Sequence, residues 1–86
     1  MNMLDDLKAY FHILQNALPK RTISAFAKTP YNELFRYHYT LGLNIRNELL
    51  ANNEPLTRAF LNAGIESTDD MSALILNLFH IYVNAK

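Results

Sequence analysis

Eighty-six residues suffice for one domain with one core, and a hydrophobic share of 50% excludes a disordered chain. Eight basic and eight acidic side chains cancel to a formal net charge of zero, so neither the basic patch of a nucleic-acid binder nor the acid excess of a nucleic-acid mimic is present. The chain has no cysteine, which excludes disulfides, thiol catalysis and thiolate metal sites.

The opening MNMLDDLKAY places acids where a signal peptide needs bases, and no run approaches the roughly 18 apolar residues of a membrane span. The expected compartment is the cytoplasm. A first helix is predicted over about 4–18, with Leu4, Leu7, Tyr10, Phe11, Leu14 and Leu18 on one face and Lys8, His12, Gln15 and Asn16 outward. Asn2 reads as its N-cap, and Pro19 ends it because the residue before a proline is driven from helical geometry. Lys20 and Arg21 then lie just past its C-terminal carbonyls. A short helical turn follows over 22–28, burying Ile23 and Phe26.

Thr29-Pro30 reads as a helix start, threonine as N-cap and proline at the first helical position. The organising element is the long helix predicted from there to about residue 51. At about 100° per residue, Tyr31, Leu34, Phe35, His38, Leu41, Gly42, Ile45 and Leu49 share its inner face. Asn52-Asn53 breaks it, since asparagine tolerates the left-handed conformation. A second short helix covers 54–63 and ends at Gly64 in the left-handed region, with Ile65 folding back onto Phe60 or Leu61. Ser67 or Thr68 caps the last helix, 69–84. It carries two apolar stripes: Met71, Leu74, Ile75, Leu78, Ile81 and Tyr82 form the first, and Ser72, Leu76, Phe79 and Val83 the second. The fold expected is all-α, a bundle of three main helices and two short ones packed around Gly42.

Two of these segments together, LGLNIRNELL (Leu41 to Leu50) and GIESTDDMSALIL (Gly64 to Leu76), resemble a family of small bacterial domains of unknown function. In that family one helix reads L-G-x-x-I-R-N and a later one opens D-D-M-S-x-x-I-L after a glycine–isoleucine turn. Leu41, Gly42, Ile45, Arg46 and Asn47 match the first pattern. Gly64, Ile65, Asp69, Asp70, Met71, Ser72, Ile75 and Leu76 match the second. Ser67-Thr68 stands where the family often has His-Pro, so no role of that histidine carries over. The resemblance implies a fold and no activity.

Candidate site residues are few. His38, central on the apolar face, reads as a buried neutral histidine with one hydrogen-bond partner. Zinc needs three or four convergent ligands, and His12 and His80 fall on outward faces, so neither metal nor cofactor is expected. Gly42 in mid-helix costs about 1 kcal/mol relative to alanine, which close approach of another helix would offset. Arg46 is placed to reach Asp69 and Asp70, either as a structural clamp or as half of a binding site. Tyr37 and Tyr39 flank the core stripe as interface or rim residues. Ser24, Ser67 and Ser72 lie in turns or at caps without a base nearby in sequence, and no enzyme is expected. The function expected is binding of a partner protein, of the kind performed by immunity proteins, antitoxins and phage-encoded inhibitors. The alternative is a nucleic-acid-associated domain using Lys20, Arg21, Lys28 and Arg36. Self-association as a two-fold dimer is expected through Leu76, Phe79 and Val83, the stripe left after the first is covered.

Overall fold

The computed structural model describes residues 3–85 and is all-α. Helix α1 (Met3–Ala17) turns Leu7, Phe11 and Leu14 into the core at i, i+4 and i+7. The expected cap at Asn2 lies outside the described residues. Leu18 N–H still reaches Leu14 O at 3.1 Å, and Pro19 then stops the helix as expected.

Pro19 also starts the next helix. Its extended backbone (φ −58, ψ 145) leads into α2 (Lys20–Lys28), a full two turns rather than a short one, with Phe26 completely enclosed. Lys20 and Arg21 therefore form the first turn of α2 instead of trailing α1. Thr29 does not cap a following helix, as its motif suggested. It closes α2, donating from Oγ1 to Ala25 O at 2.9 Å, while Oγ1 and the Tyr37 hydroxyl share a hydrogen bond at 3.1 Å.

The central segment departs most from expectation. It is not one helix but three consecutive windings: a 3₁₀ segment (Tyr31–Tyr37), a short α-helix α3 (Leu41–Asn44), and a π-helical stretch (Ile45–Leu50). A 3₁₀ turn holds 3.0 residues, so Tyr31, Leu34 and Tyr37 fall in line and Phe35 swings about 120° away from them. Leu34 is buried, Tyr37 is half-buried edge-on to the Phe26 ring (centroids 4.9 Å, 89°), and Phe35 is 72% exposed. The winding takes Phe35 out of the predicted core stripe; Tyr31, though in line with Leu34, leaves it as well, 66% exposed at the first residue of the segment. The chain turns sharply at Thr40 (φ −116, ψ −88), after the crowded run Tyr37-His38-Tyr39, before re-entering the α conformation. The wide π turn at the other end, marked by Ala51 N–H to Arg46 O at 3.1 Å, brings both Leu49 and Leu50 inward.

Asn52 and Asn53 break the chain without left-handed backbone; among the described residues positive φ occurs at Gly64 (φ 88) and at no other position. Their side chains do the work instead. Asn52 Nδ2 donates to Glu48 O at 3.1 Å and Asn47 O at 3.4 Å, closing the π turn. Asn53 Oδ1 caps α4 (Glu54–Asn62) through Leu56 N–H at 3.1 Å, and its Nδ2 donates to Asp6 Oδ2 at 3.1 Å, tying α4 to α1. At the C-terminus of α4, Gly64 N–H bonds Leu61 O at 3.0 Å and Ile65 N–H bonds Phe60 O at 2.9 Å, a Schellman motif with Ile65 packed back on the core.

Helix α5 (Thr68–Asn84) is capped by Ser67 Oγ, which accepts from Asp69 N–H at 3.1 Å and Asp70 N–H at 3.4 Å. It is the hub of the bundle, packed against α1, α2, the 3₁₀ segment, α3 and the π turn. Its rotation differs from that expected. Met71, Ser72, Ile75, Leu76, Phe79 and Val83 are buried, while Leu74, Leu78 and Ile81 from the predicted core stripe are exposed. The polar strip decides this. His80 Nε2 meets Thr29 O at 3.0 Å and Asn84 Nδ2 donates to Ala27 O at 3.2 Å, satisfying carbonyls at the end of α2. His80 is thus a half-buried strut, stacked edge-on against Phe26, and not an outward residue.

Candidate functional site

Two assemblies of side chains meet at the junction of the central segment with the first half of α5. The first is centred on Arg46, which the π turn aims across at α5. Its Nη1 donates to Ser72 Oγ at 2.9 Å, its Nη2 donates to His38 O at 3.1 Å, and its Nε stands 3.6 Å from Asp69 Oδ1. Ser72 is fully buried and passes its own proton to Asp69 O at 2.9 Å, so the network is satisfied throughout. His38 Nε2 lies 4.0 Å from Asp69 Oδ1, and the ring packs edge-on against Tyr39.

The Arg46–Asp69 half of the expected clamp is therefore present. Asp70 enters it only through its backbone, as a donor to the Ser67 cap. The chief anchor of Arg46 is Ser72, expected in a turn or at a cap but in fact enclosed within α5, as Ser24 lies within α2. Gly42 is explained differently from expectation as well. A Cβ there would meet Arg46 Nη1 at 3.3 Å, Tyr37 O at 3.4 Å and His38 Nδ1 at 3.9 Å, so the glycine makes room for the arginine and not for a crossing helix. His38 is half-buried at the edge of the network rather than sealed in the core.

The second assembly is a groove of about 510 Å³ beside this network, between the 3₁₀ segment and α5. Leu34, Gly42, Ser72 and Leu76 form its buried floor. Tyr31, Phe35 and Tyr39 stand around it with most of their surface in water, 81% for Tyr39. Asn77 Nδ2 donates to the Tyr31 hydroxyl at 3.3 Å across one end. No Asp, Glu, Lys or Arg lines it. The volume lies within the ~300–1,000 Å³ of ordinary binding clefts, and an apolar floor with a few neutral polar groups is the usual composition.

The residues assigned from the sequence to an interface divide. Tyr39 is on the rim of this groove, and Tyr37 is turned inward onto Phe26 and Thr29. Leu76, Phe79 and Val83 are core. Phe79 has 0% exposure and lies 5.2 Å from the Phe11 ring and 5.3 Å from the Phe26 ring, centroid to centroid. The assignment of these three to a dimer face is overturned, because rotation of α5 places them where the first stripe was expected. The exposure of Phe35 follows from the 3₁₀ winding, that of Leu74, Leu78 and Ile81 from the rotation of α5, and Tyr31 is exposed at the first residue of the 3₁₀ segment. Of the four cations considered as a nucleic-acid patch, Lys20, Arg21 and Lys28 sit exposed on α2, and Arg36 is paired with Glu33 at 3.0 Å. Among the described residues no group of three or more His, Asp or Glu side chains could hold a metal ion, and no helix is long and apolar enough to cross a membrane.

The structure defines an all-α domain organised on one apolar hub helix, with an aromatic groove that no Asp, Glu, Lys or Arg lines beside a half-buried arginine. A family model described as Domain of unknown function (DUF6794) matches residues 5–83, and the chain belongs to that family. No curated protein and no solved structure matches it.

Proposed function

We propose that this protein acts by binding another protein, through the groove between the 3₁₀ segment and α5. The carrying observation is the exposure of Tyr31, Phe35 and Tyr39 together around a buried apolar floor that no Asp, Glu, Lys or Arg lines. Aromatic side chains present large, rigid, amphipathic area at low entropic cost, and charge-poor, aromatic-rich patches are the centres of protein interfaces. Small size, zero net charge and the lack of cysteine suit an agent that works in the cytoplasm by occupying a partner's surface, as immunity proteins, antitoxins and phage-encoded inhibitors do. The reading requires no catalytic step, cofactor or nucleic acid. It is tested by immobilising the full chain and its Phe35→Glu,Tyr39→Ser variant, exposing both to lysate of the native host, and identifying what each retains. A protein held by the first and lost from the second supports the proposal. Identical retention by both overturns it.

A further inference from the structure

We infer that the occupant of this face is a second copy of the chain, related by a two-fold axis that crosses α5 near Asn77. The inference rests on the face being a protein-binding surface, as proposed above, and names its partner. It starts from the placement of a ridge and a groove on one helix. Leu74, Leu78 and Ile81 recur at i, i+4 and i+7 on α5, and all three are exposed. Ala73 and Asn77, one row further round the same helix, line the groove opposite Phe35. A two-fold interface uses the same patch on both copies, so that patch must complement itself. A ridge running beside a groove meets this condition. When α5 crosses its symmetry mate, Leu74 and Leu78 of each copy enter the groove of the other, the i±4 rows interdigitating at the common crossing angle of about −50°.

Charge and area agree with this occupant. No Asp, Glu, Lys or Arg side chain lines the groove, where His38 is the one basic group, none belongs to the ridge, and the formal net charge is zero with histidine counted neutral. Neither local nor whole-molecule repulsion therefore opposes pairing, and a net charge near zero favours association. A standard interface takes about 800 Å² from each partner. The three rim aromatics, each of a kind that buries about 150–250 Å², are two-thirds or more exposed, and the three ridge side chains add to them. A domain of 86 residues hides a modest share of its own surface, so covering this face would add stability that the monomer lacks.

Sedimentation equilibrium of the full chain from micromolar to hundred-micromolar concentration should show a monomer–dimer equilibrium. Phe35→Glu should raise the dissociation constant at least about tenfold, the equivalent of about 1.4 kcal/mol, with an unchanged thermal transition measured on the monomer. Because the chain has no cysteine, Ala73→Cys should yield a disulfide-linked dimer under mild oxidation, and Glu54→Cys on α4 should not. A chain that stays monomeric throughout, a dimer indifferent to Phe35→Glu, or equal cross-linking at 73 and 54 overturns the inference. A monomer that still captures a host protein through the same aromatics would end the second-copy inference and leave the partner-binding proposal standing.

Discussion

The guanidinium of Arg46 fills the space that a side chain on Gly42 would need, its Nη1 3.3 Å from where a Cβ would stand. The glycine is kept open for a side chain four residues along its own segment, one turn away, and that side chain fastens the segment to α5 through Ser72. Gly42→Leu should therefore destabilise the protein by about 1–3 kcal/mol through overpacking. Thermal unfolding checks this, and the double variant Gly42→Leu,Arg46→Ala should lose less than the sum of the two single changes. Strict additivity would mean that the strain falls on the Tyr37 carbonyl and not on the arginine.

Ser72 and Asp70 are separated by the same logic. Removing Arg46 leaves a buried hydroxyl short of one partner, and an unsatisfied buried group costs about 1–3 kcal/mol. The Asp69 contact, at 3.6 Å and with its carboxylate largely in water, should contribute little more than an exposed ion pair, about 0–1 kcal/mol. A double-mutant cycle of Arg46→Ala with Ser72→Ala should show strong coupling, and one with Asp70→Ala close to none. Coupling confined to Asp70 would contradict the network described.

Signals in the sequence are legible where the chemistry is local. Pro19 as a stop, Gly64 as a left-handed terminus and a cap at Ser67 or Thr68 each depend on a residue and its near neighbours; the first two stand as expected, and of the two cap candidates it is Ser67 that caps. The central segment failed because a phase read at 100° per residue assumes one winding throughout. The crowded Tyr37-His38-Tyr39 run and the consecutive Leu49-Leu50 pair were the available hints of a break and a wide turn. The rotation of α5 was harder to see, since two apolar stripes compete and hydrogen bonds from His80 and Asn84 to carbonyls more than 50 residues away decide between them. That choice also exchanged the candidate interface for the core.

Phe79 and Phe35 give a direct test of the exchange. Phe79→Ala empties a site with no exposure and should cost about 3–5 kcal/mol. Phe35→Ala, at a position mostly in water, should stay within about 0.5 kcal/mol of the parent monomer. Chemical denaturation of both, at concentrations low enough to hold the chain monomeric, checks the contrast. Comparable losses at the two positions would place Phe35 back in the core.

Tyr10 supplies a pH dependence whose direction is fixed by its surroundings. Burial pushes its phenol up from the ordinary value of 10.0 to about 12, and the carboxylate of Glu48 adds to the shift. The hydroxyl donates to Asn44 Oδ1, which joins α1 to α3 and needs the proton in place. The folded state thus holds a proton that the unfolded chain releases at lower pH. Its contribution is complete below about pH 10 and is lost as pH rises through the window between about 10 and 12. The informative quantity is the difference in unfolding free energy between the parent and Tyr10→Phe. At neutral pH the parent should be the more stable by about 0.5–1.5 kcal/mol, the worth of one net hydrogen bond. That gap should close as the solution passes pH 10 and reverse sign once the parent must bury a phenolate or expel it. A gap that stays constant across this range would show Tyr10 titrating as a free phenol, with neither its burial nor its bond to Asn44 holding the proton.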